Sequence, residues 1–311
     1  MRMTDLRQLR HFVALAEYGH FARAAEAVNL SQPALSRSIQ ALESQLDCRL
    51  LDRNPRGITL TAHGRLVLEH ARRLLAGSRA LDNAVRQLGE MGAGELRLGS
   101  GPFPAARLMP QVLAAFSRAH PKVSLVLSIE NWGELHQRLL DDELELFVAD
   151  CRELMDDPRL DILPLREHDS LLFCRPGHPL LSEAEPGIER LLDFPLAGPR
   201  LPRDAHHRLV QTLGREQPLD VQCDDVLMLK ELVRGSDMLC LAVADVVAAD
   251  IASGRLAALH WPRLAGDATL RRSAYGLVRH ASRSLSPAAG GLLELLLETE
   301  GHPVEDGKRK S

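Results

Sequence analysis

Apolar residues recur every three or four positions in three short segments at the start of the chain, which is the spacing of one face of an α-helix. The three sets are Leu6, Leu9, Val13 and Ala16, then Phe21, Ala25 and Val28, then Leu35, Ile39, Leu42 and Leu46. Asn29-Leu30 predicts a tight turn before the third helix, with Ser31 as its N-cap and Pro33 in its first turn. Three short helices with a cramped turn between the last two predict a helix-turn-helix over residues 21–40.

A β-hairpin and a long helix are predicted next. Two short extended stretches within residues 48–61 flank Asn54-Pro55-Arg56-Gly57, whose proline and glycine favour a turn. Thr61 is a cap for a helix that continues to about residue 88, in which one apolar residue recurs every seven positions: Val67, Leu74, Leu81 and Leu88. Because a seven-residue repeat is typical of paired helices, we expect this helix to join two copies of the chain. Packing of the helix on its own chain is the alternative.

The pattern changes after the glycine-rich hinge at residues 89–95. Strands are predicted at 95–100, 123–129 and 143–149, and Val123, Leu125, Leu127 and Ile129 are expected to point inward from the second. Further strands are predicted near 169–175, 195–198, 220–223, 238–242 and 271–279, and helices at 104–119, 131–141, 204–216, 225–234, 244–252 and 288–299. Strands that alternate with helices call for a parallel sheet with helices on its faces.

The predicted fold class is therefore α/β, with an all-α winged helix-turn-helix in front of a two-lobed α/β domain. The predicted ranges are 4–61 for the winged helix-turn-helix, 62–89 for the linker helix that dimerises, 93–300 for the two-lobed domain and 301–311 for a polar tail. Lobe I takes about 93–164 and 269–300, and lobe II about 165–268.

The first 90 residues and the remainder of the chain differ in net charge. Residues 1–90 hold 13 arginines, no lysine and 9 acidic residues, a net charge of +4, whereas the remainder holds 25 basic and 33 acidic residues, a net charge of −8. An arginine excess confined to the front suggests a polyanion partner for that part alone, although ordinary surface charge would give the same count.

Composition and motifs argue against several classes of protein. No apolar run reaches the ~18–20 residues that span a bilayer, and the first ten residues lack the apolar stretch of a signal peptide, so we expect a cytoplasmic protein with no membrane partner. The five cysteines and thirteen histidines show no CxxC, HxxxH or HExxH spacing, so no metal is expected, and a redox-active cysteine pair is the less favoured alternative to inert thiols. Without GxSxG, a P-loop or GxGxxG after a strand, we expect neither an enzyme nor a cofactor.

The outer face of the third helix carries the residues expected to meet DNA. Gln32, Pro33, Ser36, Arg37 and Gln40 lie away from its apolar stripe, and Gln and Arg can pair with the edges of adenine and guanine in the major groove. Arg53 and Arg56 bracket the hairpin tip, where they suit the minor groove or the phosphates, and Arg10 is a candidate phosphate clamp. A solvated face of an amphipathic helix is the alternative for the third helix.

The first 71 residues resemble the N-terminal domain of LysR-type transcriptional regulators. The resemblance rests on Phe12, Phe21, Ala24-Ala25, Leu30-Ser31-Gln32-Pro33-Ala34-Leu35-Ser36, Ile39, Leu42-Glu43, Leu50, Arg53, Thr59, Thr61 and Gly64, and continues more weakly to about residue 300. It implies bacterial promoter DNA, a second copy of the chain and a small-molecule effector as partners, with RNA polymerase a further candidate. It also implies an effector-binding domain like that of periplasmic binding proteins and assembly as a homodimer or homotetramer.

An effector is expected in the cleft at the carboxyl ends of the strands, close to helix N-termini. The residues that follow those strand ends are Ser100, Gly101, Pro102, Phe103, Asn131, Trp132, Asp150 and Arg200. The family resemblance adds that Ser100 stands where a polar residue commonly contacts the effector. Free helix N–H groups and an arginine, Arg200 or Arg203, favour a small organic acid, while Glu130 and Asp150 leave an amine open.

Two further classes explain only part of the chain. A solute-binding protein would account for residues 95–300 but not for the helix-turn-helix, and an architectural DNA-binding protein would account for the front alone. A transcription regulator controlled by an effector accounts for both. The effector's identity, the operator, and activation versus repression are left open by the sequence.

Overall fold

The computed structural model describes residues 5–54, 57–89, 94–183, 185–261 and 267–301. The chain divides into two compact units: Met1–Met91 with Leu140–Glu143, here called the head, and Gly92–Leu139 with Leu144–Ser311, here called the body. None of the helices in the described part of the chain combines the length and apolar character needed to cross a bilayer.

The head contains three short helices, a hairpin and one long helix. They are α1 (Leu6–Tyr18), α2 (Phe21–Ala27), α3 (Gln32–Leu46), β1 (Leu51–Asn54), β2 (Gly57–Leu60) and α4 (Ala62–Gly89). The Ser31 hydroxyl accepts the backbone N–H of Ala34, which makes it the N-cap of α3 as predicted. Leu35, Ile39 and Leu42 are fully buried, so the predicted core stripe of this helix is also present.

The buried stripe of α1 differs from the prediction. Leu9, Phe12 and Leu15 are buried, whereas Leu6 is exposed. Phe12 carries the largest apolar side chain of this helix, and burying it turns the inward face away from Leu6.

The hairpin of β1 and β2 connects tightly to α4. The strands are antiparallel, with Leu51 opposite Leu60 and Asn54 opposite Gly57. Thr61 Oγ1 accepts the backbone N–H of Gly64 at 2.9 Å, so this threonine caps α4 as predicted.

The body contains two five-stranded sheets. The first has the order β4 (Val123–Ile129), β3 (Gly94–Ser100), β5 (Leu146–Asp150), β12 (Tyr275–His280) and β6 (Leu160–Pro164). The second has the order β11 (Ala257–Leu259), β7 (Ser170–Cys174), β10 (Leu239–Val243), β8 (Leu196–Gly198) and β9 (Val221–Gln222). Helices cover the sheets: α5 (Pro102–Arg107), α6 (Met109–Ala119), α7 (Trp132–Leu140), α8 (Ile188–Leu191), α9 (Arg203–Leu213), α10 (Val226–Arg234), α11 (Ala244–Ala252), α12 (Ala268–Arg271) and α13 (Pro287–Glu300).

The prediction of parallel sheets holds only in part. β3 runs parallel to β4 and β5, and β8 runs parallel to β9 and β10. In contrast, β12 is antiparallel to both of its neighbours, and β7 is antiparallel to β10 and β11. Both sheets therefore contain parallel and antiparallel strands. In the first sheet, the antiparallel strand β12 is formed after the chain returns from the second sheet.

Several element boundaries also differ from the prediction. The single helix expected at 104–119 is two helices separated at Leu108, and β6 and β11 were not predicted. The strand expected from residue 271 starts at Tyr275, because α12 precedes it. Ile129 is 54% exposed rather than inward, since it ends a strand at the edge of the sheet.

A buried ionic network links distant segments of the body. Arg107 Nη2 of α5 lies 2.6 Å from Glu300 Oε1 at the end of α13, and their side chains are only 13% and 1% exposed. The imidazole of His168 lies 3.3 Å from Glu300 Oε2 through Nε2 and 2.9 Å from Asp245 Oδ2 through Nδ1. Arg107 and His168 therefore meet at the Glu300 carboxylate, and Asp245 joins them through the imidazole.

Candidate functional site

The outer face of α3 is polar and accessible. Gln32, Pro33, Arg37 and Gln40 are exposed, and Ser36 is half-buried at the flank. The helix is held from behind, since its apolar stripe enters the head core and Ser38 Oγ lies 2.7 Å from His11 Nδ1 of α1. A firmly seated helix thus presents amides, a hydroxyl and one guanidinium group to the solvent.

The other predicted DNA-contacting residues lie on α1 and the hairpin. Arg10 is exposed on α1. Arg53 belongs to β1, but its side chain and all of Arg56 lie outside what the structure describes. The contacts expected from the hairpin tip therefore stay a prediction.

The long helix α4 has two apolar faces. Ala71 is buried in the head core and Val67 packs against it, which matches the alternative that the helix packs on its own chain. Leu74 and Leu81, however, are 55% and 66% exposed, and Val85 beside them is 60% exposed. Of the predicted seven-residue repeat, Val67 therefore packs against the head core, whereas Leu74 and Leu81 lie on an uncovered face. The Leu88 side chain lies outside the part of the chain that the structure describes.

The body holds a pocket of about 730 Å³, including space open to the solvent. Of the predicted residues, those that line it are Gly101, Pro102, Phe103, Asn131, Trp132, Asp150 and Arg200. The carboxyl ends of strands from both sheets contribute to it, as the fold class predicts.

Ser100 is not among the residues that line this pocket. It is fully buried, and its hydroxyl donates to the carbonyl of Gly101 at 3.1 Å. Ser100 ends a central strand that is covered on both faces, so its side chain enters the core and the following residues reach the cavity. An effector contact from the Ser100 hydroxyl therefore stays a prediction.

Asn131 has a positioning role at the edge of the pocket. Its Oδ1 accepts the backbone N–H groups of Gly133 and Glu134 at 3.1 and 3.2 Å, and its Nδ2 donates to Glu134 Oε2 at 2.8 Å. The side chain therefore caps α7 and fixes the neighbouring Trp132 at the pocket wall.

Asp150 is the buried acid of the pocket. Burial raises the pKa of its carboxyl group to about 6, against the opposing effect of the Arg152 guanidinium group, whose Nη2 lies 3.3 Å away. Arg152 also donates to the carbonyls of Thr269 and Arg272 at 3.0 and 2.8 Å. Arg152 was not predicted, although its place two residues after a strand end was a usable signal.

Two of the lining residues that were not predicted come from strands that run antiparallel to their neighbours. Tyr275 starts β12 opposite Asp150, and Ser170 starts β7 opposite Val243. An antiparallel strand brings its first residues to the edge where parallel strands end, so a prediction of parallel strands omits them. Other lining residues that were not predicted include Asp224, Leu241, Leu270, Arg272 and Ser273.

The cysteines give little support to redox chemistry. Cys151, Cys174 and Cys240 are buried, and burial raises the pKa of the Cys151 and Cys174 thiols to about 11. Since the thiolate is the reactive form, these thiols are poorly activated. Among the residues that the structure describes, no group of three or more His, Cys, Asp or Glu side chains could hold a metal ion.

A helix-turn-helix with an accessible polar face, followed by an α/β body with a pocket lined from both of its sheets, defines a DNA-binding regulator with a ligand-binding domain. Residues 6–65 match the model of the bacterial regulatory helix-turn-helix protein, lysR family, and residues 89–301 match the LysR substrate binding domain. The chain belongs to the LysR family of transcriptional regulators.

Relatives and solved structures agree with this family. The SDS degradation transcriptional activation protein of Pseudomonas sp. (strain ATCC 19151) is 59% identical over 300 residues, which cover 96% of this chain and 97% of that protein. The hydrogen peroxide-inducible genes activator of Dickeya chrysanthemi is 32% identical over 213 residues, 68% of this chain and 67% of that protein. The crystal structure of CbnR, a LysR family transcriptional regulator, has the same fold, with a TM-score of 0.69 at 22% identity over 96% of this chain and 99% of that one.

Proposed function

We propose that this regulator activates transcription in response to a small organic acid bound in the body pocket, and that the acid is an anionic amphiphile such as an alkyl sulfate. The observation that carries the proposal is the chemistry of the pocket. Apolar walls, among them Phe103, Trp132 and Leu270, surround a cavity whose rim holds the exposed Arg200. An apolar body with one acid group complements such a site.

The pairing of Asp150 with Arg152 favours an acid over an amine as the ligand. Asp150 is paired with Arg152, so a ligand cation would compete with a guanidinium group already in place. An amine therefore gains less from this pocket than an anion gains from Arg200.

The direction of regulation and the amphiphile come from the relative in Pseudomonas sp., which is named for transcriptional activation and SDS degradation. Its identity extends over nearly the full length of both chains, so it includes the body. We therefore propose both transcriptional activation and an amphiphilic effector for this chain.

The operator is proposed to be an inverted repeat in promoter DNA. Two copies joined through the uncovered face of α4 would place their α3 helices in successive major grooves about one helical turn, or a multiple of it, apart. Gln32, Ser36, Arg37 and Gln40 would then read base edges or contact the backbone, and the hairpin arginines would contact the flanking minor groove or phosphates.

The test combines operator selection with ligand binding. A duplex is first selected from a random library by the full chain, and its retardation is then measured with decanoate, decyl sulfate, decanol and decylamine below their micellar concentrations. We expect the two acids to change DNA affinity and the alcohol and amine to have little effect. By linkage, the selected duplex should change the affinity for the acid by the same factor.

The chain offers a matched pair of arginines as a control. Arg200 lines the pocket, whereas Arg203 does not, and its side chain is 93% exposed. Arg200→Gln should weaken decanoate binding roughly tenfold, the size of a lost charge-assisted hydrogen bond, and Arg203→Gln should not. Binding of decylamine in place of the acids would refute the proposal.

A further inference from the structure

One polar side chain of the effector pocket is buried without a hydrogen-bond partner. Tyr275 begins β12, lines the pocket and is only 6% exposed. None of the residues that the structure describes exchanges a hydrogen bond with its hydroxyl. Since buried hydroxyl groups are normally hydrogen-bonded, this one is left for a group that enters the pocket.

The Tyr275 side chain is held firmly and opens to the pocket. Its ring belongs to the apolar core of the body. Its backbone pairs with Asp150 of β5, and its carbonyl accepts the backbone N–H of Leu165 at 2.9 Å. Its oxygen is not among the fully buried, unpartnered atoms of the described residues, so the hydroxyl is accessible from the pocket that the residue lines. A ligand therefore meets this hydroxyl in a fixed position.

Other buried polar groups of the pocket already have partners. Asp150 pairs with Arg152, whose guanidinium group also donates to two backbone carbonyls. The Ser273 hydroxyl accepts the backbone N–H of His168 at 2.9 Å. Within the part of the chain that the structure describes, Tyr275 differs from these groups in that a ligand would supply its hydroxyl with a first partner.

The charges around Tyr275 favour a neutral oxygen as that partner. Burial and the Asp150 carboxylate raise the pKa of the phenol, against the opposing effect of Arg107 and Arg152, so the hydroxyl keeps its proton and can donate it in a hydrogen bond. An acid group of the ligand would be repelled here by Asp150, and Arg152 is already engaged with that carboxylate. A carbonyl or ether oxygen accepts the hydrogen bond without this repulsion.

We propose that the Tyr275 hydroxyl donates a hydrogen bond to a neutral oxygen of the effector, so that the effector is an organic acid with a second, uncharged oxygen along its chain. This inference rests on the proposed function, since it assumes an acid group bound by Arg200. It narrows the anionic amphiphile to an oxygenated one. A saturated acid would cover the hydroxyl with hydrocarbon and leave it unsatisfied, which weakens binding.

The two tyrosines of the chain provide a variant and its matched control. Tyr275→Phe removes the hydroxyl from the pocket, and Tyr18→Phe removes one from a 49% exposed residue of the head. Calorimetry on the full chain measures the affinities for decanoate and for decanoates with a keto oxygen at each carbon from 4 to 9. In the native chain and in Tyr18→Phe, we expect one keto acid, or two neighbours in the series, to bind about tenfold more tightly than the others.

Tyr275→Phe should remove this preference and leave the affinity for decanoate within about twofold of the native value, because decanoate offers the hydroxyl no neutral oxygen. Equal losses for decanoate and for every keto acid would overturn the inference, since the hydroxyl would then act on the acid group or on the shape of the pocket. A native series without a preferred keto position would also overturn it. In both cases, binding of decanoate leaves the proposed function standing, whereas a chain that binds none of these acids refutes the proposed function as well.

Urea unfolding of the same variants excludes a purely structural role. Because the Tyr275 hydroxyl has no hydrogen-bond partner among the described residues, Tyr275→Phe should unfold at the same urea concentration as the native chain. A clearly lower midpoint would show that the hydroxyl serves the fold and would contradict the inference.

Discussion

The head and the body present their candidate sites in opposite ways. In the head, the residues proposed to enter the major groove are mostly exposed and fall within nine consecutive positions of α3, from Gln32 to Gln40. In the body, the pocket draws on segments from Gly101 to Tyr275, and its acid and its tyrosine are buried. The head surface depends on one helix, whereas the body pocket depends on how both sheets are assembled. Substitutions in the head should therefore change DNA contacts, whereas substitutions in the body should change folding or the protonation of Asp150.

The largest expected effect comes from removing a buried charge of the body. Glu300→Ala leaves Arg107 and His168 without their shared carboxylate, and loss of one partner of a buried ion pair costs about 3–5 kcal/mol of unfolding free energy. Urea unfolding followed by tryptophan fluorescence measures the body alone, since both tryptophans lie in it. Glu298→Ala, at an exposed position of the same helix, is the control, and equal stability of the two variants would contradict the prediction.

The same contrast explains what the sequence could predict. The helix-turn-helix, the Ser31 cap and the outer face of α3 follow from periodicity within about 30 residues. Seven pocket residues were also found, because carboxyl ends of parallel strands meet at one edge. Arg152, Tyr275 and their neighbours were missed, since the direction of β12 depends on pairing with residues more than 100 positions away. Ser100 was predicted from its place at a strand end, which does not say that its side chain is buried while the next residues line the pocket.

The second prediction concerns the uncovered face of α4. Leu74→Glu with Leu81→Glu places two carboxylates where the paired helices are proposed to meet, so the chain should become monomeric. Loss of the second head should weaken binding to an inverted repeat at least a hundredfold, because the two heads no longer act together. Leu74→Met with Leu81→Met keeps the face apolar and should remain dimeric in analytical ultracentrifugation. A double glutamate variant that sediments as a dimer would show that pairing uses another surface.

The third prediction uses the raised pKa of Asp150. Its folded pKa of about 6 exceeds the unfolded value of about 3.9, so the folded chain binds the proton more tightly. The resulting stability is fully present below pH 4 and is lost as the pH rises through 6, a change on the order of 2–3 kcal/mol. Asp150→Asn should flatten the unfolding free energy between pH 4 and 7 by about this amount.

The surroundings of Asp150 define the control for that measurement. Arg152 opposes the effect of burial, while Asp204 and Glu153 add to it. Asp204→Asn therefore removes one neighbouring charge without removing the titrating group, and it should retain most of the slope. If the native chain shows no fall in stability over this pH range, or if Asp150→Asn shows the same fall, another group is responsible.

The smallest effects are expected at the DNA surface, where single contacts are lost without any change in folding. Arg37→Ala on α3 should cost about 1–3 kcal/mol of operator affinity and relax specificity at one base pair, because a guanidinium group in the major groove reads guanine. Arg56→Ala at the hairpin tip should instead weaken binding to all duplexes alike. It should also lower by about one the number of ions released on binding, because it removes a phosphate contact. Retardation of single-mismatch duplexes at several salt concentrations distinguishes the two patterns. If Arg37→Ala behaves like Arg56→Ala, then Arg37 contacts the DNA backbone, and the bases are read by Gln32, Ser36 and Gln40. If neither variant changes retardation, the proposed DNA surface is wrong.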